Sequence, residues 1–195
     1  MIWPRLILAS GSPRRRDLLA AVGADATVVR PRVDETPDGG DPAATARRLA
    51  RAKAEWAARR PDLPAGRRYI VAADTLVVSR RRVLGKPNGG ADARRMLGLL
   101  SNRWHEVVTG VCLLDLKTGR AKCQAEVTRV KFRKLAPSMI RAYVASGEPL
   151  DKAGAYGIQG RGAVLVERIE GCYSNVVGLP LARLAKMLER SGALA

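Results

Sequence analysis

Residues 6–19 read Leu-Ile-Leu-Ala-Ser-Gly-Ser-Pro-Arg-Arg-Arg-Asp-Leu-Leu. The short apolar run predicts a buried strand, and Ser12 followed by Pro13 is typical of a helix that begins at Pro13. The backbone N–H groups and the positive dipole end of such a helix favour an anion. The side chains that could assist them are those of Ser10, Ser12, Arg14 and Arg15. The stretch predicts a phosphate-binding turn, although a capped surface helix with solvated arginines would give the same pattern.

The rest of the chain contains further strand and helix patterns, with no internal repeat and no second domain boundary. A chain of 195 residues fits one domain, so we expect residues 1–195 to form a single domain. Strands are predicted at 26–29, 69–78, 104–115, 119–132 and 163–169. Helices are predicted at 43–59, 91–100, 137–146 and 180–190, and residues 171–178 are predicted as a loop.

Asp74 lies inside the strongest strand, residues 69–78, whose apolar residues are continuous. Such a strand is covered on both faces, where a carboxylate is costly unless it binds a metal or takes part in chemistry. The alternative is an Asp that hydrogen-bonds to backbone groups at a strand end. Asp34 and Glu35 place two further carboxylates in the loop before helix 43–59.

Two lysines occupy positions from which a side chain could reach an anion. Lys53 lies on the apolar side of helix 43–59, where a lysine either extends its ammonium to the edge of the core or directs it at an anion. Lys86 lies in the loop between a short strand and helix 91–100. His105 has no second histidine with which to share a metal, so we interpret it as structural rather than as a catalytic base.

The formal net charge of +17 invites a nucleic-acid interpretation. Arginine and alanine are abundant, however, and Phe132 is the only phenylalanine, which points to compositional bias. Aromatic residues make up 4% of the chain, too few for base-stacking platforms, so no specific nucleic-acid partner is expected. Three cysteines without C-x-x-C spacing fit a reducing cytoplasm, and no stretch approaches the ~20 apolar residues of a membrane span.

Six strings follow one another along the chain: Ser10–Arg15, Ala73–Thr75, Leu84–Pro87, His105–Gly110, Asp151–Gly160 and Ser174–Leu181. Together they resemble the Maf family of nucleoside triphosphate pyrophosphatases. The resemblance covers nearly the whole chain. It departs at Ser101-Asn102-Arg103, where the family usually carries Ser-Gly, which leaves the turn after helix 91–100 open.

The resemblance implies an α/β fold with a mixed twisted sheet and flanking helices, similar to inosine-triphosphate pyrophosphatases, in which two lobes surround a central cleft. It also implies hydrolysis of a nucleoside triphosphate to the monophosphate and pyrophosphate by a cytoplasmic house-cleaning enzyme, with a homodimer expected. Asp74 would accept the proton of the attacking water, and Glu35 and Asp74 would hold Mg²⁺, with Mn²⁺ as the alternative. The expected substrate-binding residues are Ser10, Ser12, Arg14, Arg15, Lys53, Thr75, Lys86 and Gln159.

Within the family, the subgroup that acts on dTTP and UTP is similar to this chain at Arg14, Thr75 and Gln159. Uracil and thymine present an acceptor at O4 beside a donor at N3, which one amide side chain can match. Modified uridine triphosphates are further candidate substrates. The alternative from another class is a nucleotide-sensing regulator of septum formation without significant turnover.

Overall fold

The computed structural model describes residues 2–194. The strands are β1 (Leu6–Ala9), β2 (Ala26–Val29), β3 (Tyr69–Ser79), β4 (Arg82–Leu84), β5 (Trp104–Asp115), β6 (Ala121–Phe132) and β7 (Val166–Glu170). The α-helices are α1 (Pro13–Ala21), α2 (Pro42–Ala58), α3 (Gly90–Leu100), α4 (Pro137–Ala145), α5 (Tyr173–Val177) and α6 (Leu181–Glu189). Short 3-10 helices at Glu148–Asp151, Ala153–Ala155 and Gly160–Leu165 lie between α4 and β7.

Within residues 2–194, seven strands form one mixed sheet in the order β2-β1-β3-β5-β6-β7, with β4 paired to β3. β1 is parallel to both β2 and β3, and Ala9 of β1 lies opposite Ala72 of β3. β4 is antiparallel to β3, and β7 is antiparallel to β6. The prediction of a mixed α/β fold is therefore confirmed.

The described residues fall into two compact units. The first contains residues 2–74, 109–126 and 178–194, and the second contains residues 75–108 and 127–177. The bounds between them fall within β3, β5 and β6 and directly after α5. A single domain with two lobes around a cleft stays a prediction.

β1 and the first-unit part of β3 are buried on both faces, which explains the continuous apolar run of β3. One face packs with α1 and α6 through a cluster that includes Leu8 and Val71. The opposite face packs with α2 through a cluster that includes Ile70 and Ala72. Because residues two apart in a strand share a face, Asp74 lies on the α2 side with Ile70 and Ala72.

Gly110 of β5 lets α2 approach the sheet closely. A Cβ atom at this position would clash with the backbone carbonyl of Ala46 in α2. Gly110 shares its face of β5 with Cys112, which belongs to the cluster that packs with α2. A side chain at residue 110 would push α2, and every side chain it carries, away from the sheet.

Two predictions near the end of the chain are wrong. The strand predicted to begin at Ala163 begins at Val166, because residues 160–165 form a 3-10 helix. The loop predicted at 171–178 contains α5. The side chain of Asn175 in α5 donates hydrogen bonds to the Val107 carbonyl and the Thr128 hydroxyl, both at 3.0 Å. Such tertiary contacts lie outside what a local sequence pattern encodes.

Asn102 lies in the turn after α3, whose conformation the sequence does not predict. Its φ is +56°, in the left-handed region that favours glycine and that Asn tolerates better than most other residues. The ammonium of Lys131 donates to the Asn102 carbonyl at 2.8 Å and to its side-chain oxygen at 3.2 Å. The turn thus keeps a left-handed residue without the glycine usual in the family.

Cys112 of β5 and Cys123 of β6 form a disulfide, and Cys172 is a free thiol. The sequence does not predict this pair, because it depends on which residues of two adjacent strands lie side by side. A cytoplasmic location stays a prediction. None of the helices between residues 2 and 194 combines the length and apolar character needed to cross a membrane.

His105 is buried in the core of the second unit, which agrees with a structural role. Its Nε2 atom lies 2.7 Å from the Tyr156 hydroxyl, and its ring packs edge-on against Phe132 and Tyr156. Its Nδ1 atom has no hydrogen-bond partner among residues 2–194. Burial lowers the pKa of His105 to about 4, so the ring is neutral at pH 7.

We expect this buried histidine to make the free energy of unfolding fall with acid. Between about pH 6.5 and pH 4 the unfolded chain takes up a proton that folded His105 refuses, which lowers the free energy of unfolding by about 3 kcal/mol in total. Urea unfolding at a series of pH values, compared between wild type and His105→Gln, measures this loss. The variant, whose amide does not titrate, should lose about 3 kcal/mol less than wild type on acidification. Parallel losses in the two proteins would contradict the assignment.

Candidate active site

The predicted anion-binding turn lies at the carboxyl end of β1. α1 begins at Pro13, as predicted, and Ser12 occupies the N-cap position. The Ser12 hydroxyl makes no capping hydrogen bond to the first turn of α1. The backbone N–H of Ser12 donates to the Ser10 hydroxyl at 3.2 Å, and Ser10 is buried. The Ser10 hydroxyl therefore holds the shape of the turn.

Arg15 is buried, so the alternative of solvated surface arginines fails for this residue. Its Nε donates to the Gly178 carbonyl at 2.7 Å, and its Nη1 donates to the Ser10 hydroxyl at 3.0 Å. Burial lowers the pKa of Arg15, and the negative charges of Asp74 and Glu35 oppose that effect. An arginine stays protonated under such conditions, so the turn carries a buried positive charge. Arg14, on the same helix, is half-buried.

Lys53, Asp74 and Glu35 form the charged centre of the first unit. The Lys53 ammonium lies 2.6 Å from Asp74 Oδ1 and 2.8 Å from Glu35 Oε1. Lys53 and Asp74 are 4% and 6% exposed, whereas half of the Glu35 side chain is exposed. The charges of buried Lys53 and buried Asp74 thus compensate each other, and the half-exposed carboxylate of Glu35 contacts the same ammonium.

The local structure explains why Lys53 meets Asp74. α2 is capped by Asp41, whose carboxylate accepts from the N–H groups of Ala43 and Ala44, and Pro42 occupies its first turn. Lys53 follows Ala50 by three residues, and Ala50 packs on the face of β3 that also carries Asp74. Of the two sequence interpretations, the one that directs Lys53 at an anion is correct, and the anions are carboxylates of this protein.

The donor set fits Mg²⁺. Glu35 and Asp74 lie within hydrogen-bonding distance of one nitrogen, so a single cation attracts both carboxylates. Among the described residues, no group of three or more His, Cys, Asp or Glu side chains could hold a metal ion. Mg²⁺ requires no such group, because it is commonly bound by one or two carboxylates together with water and substrate phosphates.

The remaining predicted site residues belong to the second unit. Thr75 follows Asp74 in β3 and is half-buried. Lys86 is exposed in the loop between β4 and α3. Gln159 is exposed and directly precedes the 3-10 helix Gly160–Leu165. The structure brings Ser10, Arg15, Glu35, Lys53 and Asp74 together within the first unit, whereas the substrate contacts of all the named residues stay predictions.

The Gly178 carbonyl is a part of the site that the sequence analysis missed. It accepts from Arg15, which lies 163 residues away in the chain. Gly178 belongs to the family-like string Ser174–Leu181, which the sequence analysis quoted without assigning it a role. The string Ser174–Leu181 offers no catalytic or charged group, although it resembles the family. That is the signal that could have suggested a contact between its backbone and the arginine-rich string Ser10–Arg15.

Comparison with known proteins places the chain in a family. The family described as "Maf-like protein" matches residues 5–191. Relatives named "dTTP/UTP pyrophosphatase" include one from Syntrophomonas wolfei, 51% identical over 95% of this chain and 96% of the relative. Another, from Moorella thermoacetica, is 52% identical over 94% of this chain and 93% of the relative. A third, from Gloeobacter violaceus, is 50% identical over 94% of each chain.

A solved structure of a nucleoside-triphosphatase / dITP/XTP pyrophosphatase from Mycobacterium abscessus matches 67% of this chain and 75% of that chain. The sequence identity is 16% and the TM-score is 0.42, values too low to support an argument. Membership rests instead on the family match and on the relatives at about half identity. This chain belongs to the Maf family.

Proposed function

We propose that this chain hydrolyses dTTP and UTP to the monophosphate and pyrophosphate, with modified uridine triphosphates as further candidate substrates. The observation that carries the proposal is the convergence of Glu35 and Asp74 on buried Lys53, in the unit that also buries Arg15. The names of relatives that are 50–52% identical over nearly the whole chain support the choice of substrates.

Asp74 is the proposed acceptor of the proton from the attacking water. A buried carboxylate that is already compensated by an ammonium stays in place while a charged substrate binds nearby. Its Oδ1 atom is held by Lys53, which fixes the orientation of the carboxylate. Attack at the α-phosphorus would then transfer one water proton to Asp74 and release pyrophosphate as the leaving group.

Lys53 and the arginines are the proposed partners of the phosphates. A triphosphate carries about four negative charges, so its reaction needs fixed cations close to the leaving pyrophosphate. An ammonium has three N–H donors, and Lys53 directs two of them at Asp74 and Glu35, which leaves one for a phosphate oxygen. Mg²⁺ held by Glu35 and Asp74 would neutralise charge on the phosphates. The α1 start with Ser10, Ser12, Arg14 and Arg15 keeps its predicted role in phosphate binding, as does Lys86.

Gln159 is the proposed reader of the base. Its amide can donate to O4 and accept from N3–H of uracil or thymine, whereas cytosine offers these groups in reversed order. The side chain is exposed and makes no capping hydrogen bond to the 3-10 helix that follows it, so it is available to a ligand. Thr75 keeps its predicted place among the substrate-binding residues.

A nucleotide panel with Mg²⁺, in which pyrophosphate and phosphate are measured separately, tests the proposal. We expect pyrophosphate as the product and a kcat/KM for UTP roughly ten- to hundredfold above that for CTP, because one bidentate pair discriminates by that amount. Gln159→Ala should narrow this ratio and leave pyrophosphate as the product. Equal hydrolysis of purine triphosphates would contradict the pyrimidine assignment.

The same panel, combined with a measurement of UTP binding, distinguishes the alternative function. Tight binding of UTP without turnover would favour a nucleotide-sensing regulator of septum formation. An acceptor for a water proton has no use in a pure sensor, which is why we favour catalysis. We also place the enzyme in the cytoplasm, where nucleoside triphosphates are available, and expect a homodimer.

A further inference from the structure

Glu148, which precedes the glycine-rich segment, holds one end of the loop that carries Gln159. Its Oε2 atom accepts from the backbone N–H of Arg161 at 3.0 Å. Its Oε1 atom accepts from the backbone N–H of Gly162 at 3.1 Å. A single half-buried carboxylate therefore binds two consecutive backbone groups just after Gln159.

Tyr143 of α4 holds the other end of the same loop. Its buried hydroxyl accepts from the backbone N–H of Gly157 at 3.2 Å and donates to Glu148 Oε1 at 2.9 Å. The two side chains thus form one continuous hydrogen-bonded clamp, which we call the Glu148–Tyr143 clamp. Gln159 lies between the two ends that the clamp fixes.

The packing leaves this loop little freedom to take another shape. A Cβ atom at Gly162 would clash with the Gly157 carbonyl and lie 2.6 Å from the Tyr143 hydroxyl. Gly160 has a φ of +64°, and a Cβ atom there would lie 3.0 Å from Glu148 Oε2. The clamp and the loop backbone are therefore in direct contact, which only glycine permits at residues 160 and 162.

The charge state of Glu148 suits this role. Burial acts to raise its pKa, but hydrogen bonds from Tyr143, Gly162 and Arg161 outweigh burial and lower the pKa below the ordinary value. The ionised group accepts hydrogen bonds on both oxygens, and hydrogen bonds to a charged acceptor are the stronger kind.

An amide side chain discriminates between uracil and cytosine only if its orientation is fixed. A flip of the Gln159 amide is a side-chain rotation that exchanges its donor and acceptor, so neighbouring backbone groups in the loop must be fixed in place to favour one orientation. We infer that Glu148 and Tyr143 are positioning residues for base selection, because their clamp fixes the backbone on both sides of Gln159. This inference rests on the proposed function, in which Gln159 reads a uracil or thymine base.

The test compares kcat/KM for UTP and CTP in wild type, Glu148→Gln and Gln159→Ala. Gln keeps the size of Glu148 but replaces one acceptor oxygen with an NH₂ group, which cannot accept from a backbone N–H. We expect the UTP-to-CTP ratio to fall at least about threefold in Glu148→Gln, with pyrophosphate still the product. General damage to the fold lowers both rate constants equally and does not move their ratio.

Two further variants sharpen the result. Glu148→Gln combined with Gln159→Ala should show the same ratio as Gln159→Ala alone, since the clamp acts through Gln159. Glu167→Gln removes a charge from an exposed residue of the same unit and should keep the wild-type ratio. If Glu148→Gln does not fold, Tyr143→Phe, which keeps the buried ring and removes only the hydroxyl, gives the same test.

The outcomes distinguish this inference from the proposed function. A narrowed ratio in Gln159→Ala together with the full wild-type ratio in folded Glu148→Gln or Tyr143→Phe would overturn the clamp and leave the proposed function standing. An unchanged ratio in Gln159→Ala would overturn base reading by Gln159 and the clamp with it, whereas the proposed hydrolysis would fail only if pyrophosphate were not the product or purine triphosphates were hydrolysed equally well. The double variant could instead show a lower UTP-to-CTP ratio than Gln159→Ala alone. That result would also overturn the inference, because Glu148 would then act through a residue other than Gln159.

Discussion

Replacing Asp74 with Asn is expected to lower kcat for UTP hydrolysis at least ~10²-fold, the low end of general-base effects. The substitution keeps the shape of the side chain and one acceptor oxygen, but an amide cannot take the proton of the attacking water. Steady-state kinetics with UTP and Mg²⁺ measure the loss.

The control for this substitution is Asp62→Asn, at an exposed carboxylate of the same unit that pairs with Arg60. It should retain the kcat of wild type. Near-wild-type turnover by a folded Asp74→Asn protein would show that another group accepts the proton. Far-ultraviolet circular dichroism of each variant establishes folding before the kinetics are compared.

Replacing Lys53 with Met is expected to lower the free energy of unfolding by about 3–5 kcal/mol at neutral pH, because it leaves the buried Asp74 carboxylate without its partner. Glu35 adds less to this loss, since half of its side chain is exposed and water screens its charge. Urea unfolding measures the loss, and Lys117→Met, at an exposed lysine, should change the free energy of unfolding by less than about 0.5 kcal/mol.

The double variant Lys53→Met/Asp74→Asn separates the ion pair from the packing of the lysine stem. It removes both charges, so we expect its free energy of unfolding to be higher than that of Lys53→Met alone. A double variant that is less stable than Lys53→Met by the full effect of Asp74→Asn would mean that the two residues act independently.

Local pattern was enough to predict most of the first unit. β2 and β5 have the bounds that the sequence predicts, and α1 begins at the predicted Pro13, because strand alternation and helix-start signals are local. Asp74 stood out because a carboxylate in a strand covered on both faces needs a partner. Lys53 stood out because it interrupts the apolar side of a helix.

Features that depend on distant residues could not be predicted in this way. Residues 163–165 form part of a 3-10 helix rather than a strand, and Glu148 binds the start of that helix. The Arg15 contact with Gly178 joins the two ends of the chain. The disulfide between Cys112 and Cys123 depends on strand neighbours. In each case the deciding contact joins residues of different segments of the fold, and a pattern read within one segment does not encode it.

Hydrolysis of UTP in water enriched in oxygen-18, with mass spectrometry of both products, tests the central claim most directly. Attack by water at the α-phosphorus forms a new bond between that phosphorus and the water oxygen and breaks the bond to the leaving pyrophosphate. The account predicts one labelled oxygen in UMP, none in pyrophosphate and no release of single phosphate. Label in pyrophosphate, or labelled phosphate together with UDP, would contradict it.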